Sequence, residues 1–262
     1  MSKLMAFDVD GTILFDQKIS PQNLDALWRW HDAGNITVCN TGRSMEAVIQ
    51  GLQEYSLPFD YYVLYTGAVI ADSERKVLNA HTLPQQVARE IIQHFQKVPG
   101  AAVYATSLEQ DFSLNREQSD ATIVSHFKPV ELASLDGVDL VVVPLLIEDA
   151  ELRKTAYEWI ISNYGDRIDC QRNSYILDVV PKGSTKGTGL GRLMDNYLHI
   201  STEDCAVYTI GDSWNDIPMH QFAHVAASFP CSPPEVQAAT AHVVDQAYEF
   251  VDLALGKEKP KN

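Results

Sequence analysis

The chain is short of positive charge. Its 262 residues carry 20 Lys and Arg against 35 Asp and Glu, a formal net charge of −15 at pH 7. A general nucleic-acid binder holds phosphate backbones with Lys and Arg, so that class is excluded. An anionic small substrate would need cations gathered locally inside a negative field. Long apolar runs are missing too: nothing approaches the ~18 uninterrupted apolar residues of a membrane span. Cysteine is sparse, with Cys39, Cys170, Cys205 and Cys231 widely spaced and no Cys-x-x-Cys. The opening residues reach Asp8 too early for a secretory signal, so a cytoplasmic protein with reduced thiols is expected. Cys39 and Cys205 then read as core residues, and the sequon Asn35-Ile36-Thr37 as idle. No internal repeat or low-complexity segment is evident.

What is present is a globular composition, 45% apolar and 21% charged, enough to bury a core. At ~150 residues per domain the length suggests one large domain or two modest ones. Residues 3–7, 36–39 and 61–65 are short apolar runs, each expected as a buried strand. Ser20-Pro21 opens a helix that Gly34 ends, and a second helical pattern runs through Val48, Ile49 and Leu52. Strands alternating with helices predict a parallel sheet covered on both faces. After Gly67 the rhythm changes: a hairpin over 68–78, a helix from Pro84, strands at 101–106, 112–115 and 140–147, a helix over 149–164 and a strand at 175–180. The opening rhythm resumes with a helix over 186–197, strands at 206–210 and 224–227, and a helix near Pro234. The tail from 256 to 262 is polar and expected to fray. The fold class is therefore α/β. Residues 1–82 and 182–262 are expected to form a Rossmann-like core, with 83–181 an inserted α+β domain.

Three apolar strands end in polar loops: Asp8-Val9-Asp10-Gly11-Thr12, Thr41-Gly42-Arg43 and Gly211-Asp212-Ser213-Trp214-Asn215-Asp216. Ligands bind where the carboxyl ends of parallel strands share an edge, so these distant loops should meet, and Lys186 can join them. Clustered carboxylates repel and call for a cation. Mg²⁺ fits a site of few carboxylates plus water and a substrate phosphate. Asp8 can then attack phosphorus, and Asp10, two residues on, can exchange a proton with the leaving oxygen. Lys186, Thr41 and backbone N–H groups can neutralise the phosphoryl oxygens.

Asp-x-Asp-Gly-Thr, a strand-end Thr-Gly-Arg, a later Lys and Gly-Asp-x-x-Asn-Asp, in that order, resemble the four motifs of the haloacid dehalogenase superfamily of Mg²⁺-dependent phosphatases. The gap from Thr41 to Lys186 and the Thr66-Gly67-Ala68 turn are similar to its Cof-type subfamily, whose α+β cap lies between the second and third motifs. The resemblance implies Asp8 as nucleophile and metal ligand, and Asp10 as general acid/base with its backbone carbonyl on the metal. It implies Thr41 and Gly42 as phosphoryl-binding, and Lys186 as holding phosphoryl group and nucleophile. Asp212 would be a metal ligand, Asn215 would orient phosphate or nucleophile, and Asp216 would support the metal from its first or second shell. The chain departs from the common pattern at Thr66, at Ser213 and over 228–234, which bears on the entrance and the substrate.

Competing readings stand beside these. Lys182 rivals Lys186, although Lys186 fits the helix-start pattern better. Gly187-x-Gly189-x-Gly191 reads as a helix start rather than a nucleotide loop. His220 and His224 have the spacing of a zinc pair but no third ligand. Trp28, Trp30, Tyr61 and Tyr62 read as packing. Arg43 either reaches substrate or pairs with an acid, and Arg172 and Asn173 either face the site or form a solvated turn. The expected activity is Mg²⁺-dependent hydrolysis of a small phosphorylated metabolite, a phosphoric monoester, with sugar phosphate as the leading class. A phosphomutase resembling phosphomannomutases, or a non-catalytic regulatory protein on the same fold, are the alternatives. No nucleic-acid or membrane partner is expected, and oligomeric state is left open.

Overall fold

A computed structural model describes residues 2–115 and 127–256; the expected fraying beyond Gly256 lies outside them. The first stretch forms β1 (Ser2–Phe7), a small hairpin of β2 (Leu14–Phe15) and β3 (Lys18–Ile19), α1 (Pro21–Asp32), β4 (Ile36–Asn40), α2 (Met45–Leu52), β5 (Tyr61–Leu64), β6 (Val69–Asp72) and β7 (Val77–Ala80). The middle forms α3 (Gln85–Phe95), β8 (Ala102–Thr106), β9 (Asp111–Ser113), β10 (Lys128–Pro129), β11 (Val143–Leu146), α4 (Ala150–Tyr164), β12 (Ile168–Asn173) and β13 (Ile176–Pro181). The last stretch forms α5 (Lys186–Leu193), β14 (Cys205–Ile210), α6 (Ile217–Phe222), β15 (Val225–Ser228), α7 (Pro234–Ala238), β16 (His242–Val243) and α8 (Ala247–Ala254).

The first and last stretches build one sheet, ordered β16-β15-β14-β1-β4-β5-β6-β7. It is parallel from β16 to β5, and β6 and β7 add an antiparallel edge. Strand alternation explains why β1 is apolar throughout. Leu4 and Ala6 pack with Val38, Val63, Leu190 and Leu193 on one face. Met5 and Phe7 pack with Leu27, Trp30, Phe250 and Val251 on the other. Helix α1 starts as its sequence requires, the Ser20 hydroxyl accepting from the Asn23 amide ahead of Pro21.

The middle stretch builds a second sheet, ordered β10-β9-β8-β11-β13-β12. Val103, Ala105, Val143, Leu145, Leu177 and Val179 pack on Val87, Ile91 and Phe95 of α3 and Ala156 and Ile160 of α4. The opposite face of this sheet lies over the carboxyl edge of the first. Contacts across the junction hold the two together: the Tyr65 hydroxyl donates to the Ser107 carbonyl at 2.9 Å, and the Ser174 amide to the Ser213 hydroxyl at 3.3 Å.

Several elements differ from their sequence reading. The run over 140–147 is a strand only over Val143–Leu146. Val141 and Val142 pack into the core of the first sheet, and Val142 adds one antiparallel bridge to Thr106 beyond the strand. The helix from Lys186 is α-helical to Leu193 and then widens into a π-turn over Met194–Leu198, ended by His199 in the left-handed region. Strand β12 and helices α6 and α8 are additional elements.

Candidate active site

Strands β14, β1 and β4 are adjacent and parallel, so the loops that follow them share one edge. Asp8 and Asp10 follow β1, Thr41 and Gly42 follow β4, and Asp212 follows β14, with Asn215 and Asp216 in a 3₁₀ turn just beyond. Lys186, the first residue of α5, enters from below. Its backbone is pinned by the Asn40 side-chain amide, which donates to the Lys186 carbonyl at 3.1 Å.

The Lys186 ammonium donates to Asp8 Oδ1 and to Asp216 Oδ1, each at 2.6 Å, with all three residues buried. Burial alone would lower the lysine's pKa, but the two carboxylates overcome it and hold the ammonium charged. Asp8 is shifted well upward by burial and by the charges of Asp216 and Asp212, against the pull of Lys186. Asp212 is pushed up to about 6 by burial and by Asp216. Oxygens of Asp8, Asp212 and Asp216 lie within 4.8 Å of one another. One ammonium therefore faces three clustered carboxylates, and a hard divalent cation would balance them. An all-oxygen donor set fits a hard cation such as Mg²⁺. Asn215 adds a buried amide whose Oδ1 has no protein partner.

Asp10 stands apart from this cluster. Its carboxylate is gripped by Arg43, Nε to Oδ2 at 2.7 Å and Nη2 to Oδ1 at 2.6 Å. The Arg43 side chain is only 7% exposed, with Nη1 donating to the Ala47 carbonyl, whereas the Asp10 side chain is 41% exposed. Arg43 thus pairs with an acid, one of the two options read from sequence, and it also lines the cleft between the sheets. Thr41 is buried, and its hydroxyl accepts from the Arg43 amide at 3.2 Å. A Cβ on Gly42 would sit 3.3 Å from Thr66 Oγ1 and 3.5 Å from both Asn173 Nδ2 and Asp178 Oδ2. The absent side chain keeps that space open.

Between the sheets lies a cleft of about 740 Å³ of non-atom space, partly open to solvent, reached by Asp8, Asp10, Thr41 and Gly42 from one side and by the second sheet from the other. Asn173 lines it, whereas Arg172 stacks over the Trp214 ring at 3.7 Å and ties the β12–β13 turn to the Asp212 loop. Asp178 is a buried lining residue that the sequence reading passed over. Its signal was available: one acid inside the run Ile176-Leu177-Asp178-Val179-Val180, where burial of a charge needs a reason.

The rival readings resolve in the geometry. Lys182 is a surface residue bonded to the Gly165 carbonyl and Asp169. Gly189 packs α5 against the first sheet, since a Cβ there would meet Val63 at 2.6 Å and Gly67 at 2.8 Å. The His220 Nδ1 is 2.9 Å from the Thr209 hydroxyl, the His224 Nδ1 accepts from the Val207 amide, and burial lowers His220 to about 4. Trp30 donates to the Ile36 carbonyl from within the core.

A sequence profile described as haloacid dehalogenase-like hydrolase matches residues 5–250. The HMP-PP phosphatase of Yersinia pseudotuberculosis serotype I is 26% identical over 227 residues, spanning 84% of this chain and 80% of that protein. A haloacid dehalogenase-like hydrolase from B. subtilis superposes with a TM-score of 0.82 at 17% identity, covering 96% of this chain and 98% of its own. A sugar phosphatase of haloacid dehalogenase subclass IIB superposes with a TM-score of 0.80 at 20% identity, covering 97% and 99%. The two structures show a shared fold. No helix among the described residues is long and apolar enough to cross a membrane.

Proposed function

The chain belongs to the haloacid dehalogenase-like hydrolases, and on that footing we propose that it is a Mg²⁺-dependent phosphatase of small phosphorylated metabolites, with Asp8 as the nucleophile. The observation that carries the reading is Lys186 bridging Asp8 and Asp216 at 2.6 Å each, with Asp212 beside them at the edge of the cleft. Residues 1–82 and 182–262 form the catalytic core in this proposal, and 83–181 a cap over it. The cysteines are unbridged, in keeping with a reducing cytoplasmic setting.

Asp8, Asp212, Asp216 and the backbone carbonyl of Asp10 would hold the cation. When bound, Mg²⁺ supplies positive charge to the phosphoryl oxygens and keeps the neighbouring carboxylates ionised. Lys186 orients the Asp8 carboxylate and faces the same oxygens with its ammonium. As an Asp8 oxygen bonds to phosphorus, the bond to the leaving oxygen breaks and Asp10 gives that oxygen its proton. Asp10 then takes a proton from water as the water oxygen attacks phosphorus, and the Asp8–phosphorus bond breaks. Arg43 keeps the Asp10 carboxyl at one position through both halves. Thr41 and the open space at Gly42 seat the phosphoryl group, and Asn215 orients it. Hydrolysis of p-nitrophenyl phosphate that requires Mg²⁺ and stops on adding EDTA is the expected result. Purified protein that releases no phosphate from this ester with Mg²⁺ would refute the proposal.

A further inference from the structure

Strand alternation decides which side chains the second sheet turns toward the cleft. Val103, Val143, Leu145, Leu177 and Val179 face α3 and α4. Their neighbours Tyr104, Pro144, Leu146, Ile176 and Asp178 face the other way and line the cleft. The ladder sets them side by side: Leu146 pairs with both Ala102 and Ile176, and Pro144 with Asp178. Phe127 adds a second ring edge-on to Tyr104, with centroids 5.2 Å apart and planes at 88°. The wall across from Asp8 and Thr41 therefore offers two rings and three aliphatic side chains.

Polar groups on that wall, among the described residues, are the Tyr104 hydroxyl at the rim of its ring, Thr106, Asp178 and Asn173. The Thr106 hydroxyl already donates to the Val142 carbonyl at 3.2 Å. Asp178 accepts from Thr66 through one oxygen, and Asn173 stands next to it across Gly42. A sugar carries a hydroxyl on nearly every carbon. Each one pressed against apolar surface without a partner weakens binding by about tenfold. A flat ring loses nothing there and gains ring-to-ring contact.

We infer that the cleft selects a phosphate monoester whose leaving alcohol carries a flat aromatic ring, set against Tyr104, Phe127, Leu146 and Ile176 with its polar edge toward Asp178 and Asn173, in preference to a polyhydroxylated sugar. The inference rests on the phosphatase reading above and specifies its substrate class.

Benzyl phosphate and glucose 6-phosphate test it, because both are esters of primary alcohols and differ mainly in what the wall touches. With Mg²⁺, kcat/KM for benzyl phosphate should exceed that for glucose 6-phosphate by about tenfold or more, chiefly through KM. Ile176→Asn and Tyr104→Ala, assayed separately, should each bring the ratio toward one. An equal or reversed preference overturns the inference while turnover of either ester leaves the phosphatase reading standing. If neither ester turns over, p-nitrophenyl phosphate decides the phosphatase reading, and calorimetry then reads the cleft itself. Tighter binding of benzylphosphonate than of glucose 6-phosphate supports the aromatic site, and no preference overturns it.

Discussion

Asp178→Asn isolates the cost of one buried acid. Asp178 is 5% exposed on β13, and its hydrogen-bond donor is the Thr66 hydroxyl at 3.3 Å. Burial raises its carboxyl from 3.8 to about 7, against the opposing effects of the Thr66 bond and the Lys186 charge. The unfolded chain therefore releases this proton near pH 4, while the folded chain keeps it until about pH 7. Over that window the native state binds more protons than the unfolded state, so stability falls as pH rises and levels off above it. A rise of about 3 pH units at 1.36 kcal/mol each corresponds to a loss of about 4 kcal/mol by pH 8. Asn has nearly the same shape, can still accept from Thr66, and carries no charge at any pH. The Tm of the variant should match that of the parent near pH 4, diverge between pH 5 and 7, and lie up to about 8 °C higher at pH 8. Thermal unfolding followed by circular dichroism in EDTA reads this directly, since the remaining titrating groups are common to both proteins. A difference that is constant across pH, or a less stable variant at pH 8, would refute the reasoning.

Two further perturbations probe the supports of the site. Arg43→Lys replaces a two-pronged grip on Asp10 with a single mobile charge. Turnover of alkyl phosphates should fall about tenfold while p-nitrophenyl phosphate, whose leaving group needs no proton, changes little; equal losses on both would show that Arg43 does not act through Asp10. Gly67→Ala puts a Cβ 1.9 Å from the Thr185 carbonyl oxygen at a φ of +89°. Beside the start of α5 it should cost about 2 kcal/mol or more in urea unfolding and reduce activity by displacing Lys186. A Gly67→Ala variant with parental stability would contradict the tight approach of that turn to the helix.

Much of the arrangement was legible because each key loop ends an apolar run. Asp8, Thr41 and Asp212 announce themselves as polar residues at the ends of buried strands, and parallel topology brings such ends together. The two Lys candidates separated on helix-start pattern alone, and the structure sets Lys186 among the carboxylates and Lys182 at the surface. What stayed hidden depends on contacts between distant segments. Arg43 lies 33 positions from Asp10, and nothing local shows that it turns back to it. Asp216 bonds Lys186 directly because the 3₁₀ turn over Trp214–Asp216 aims it inward. The cleft-facing identity of Tyr104, Leu146 and Asp178 follows only once the register of β8, β11 and β13 is known. Strand β12 is polar on alternate residues, a pattern that an exposed turn shares. The glycine spacing over 187–191 reflects close packing of α5, through Gly189 on the first sheet and through Gly187 and Gly191 on α6, which sequence alone does not separate from a flexible loop.

The central claim is that the phosphoryl group passes through Asp8. Acid quenching during turnover, followed by proteolysis and mass spectrometry, tests it most directly. The account predicts one phosphoryl group on the peptide that contains Asp8, formed before phosphate release, dependent on Mg²⁺ and absent from Asp8→Asn, which should be folded and inactive. An active enzyme that never carries phosphate on that peptide, or an Asp8→Asn protein that still turns over, would contradict it.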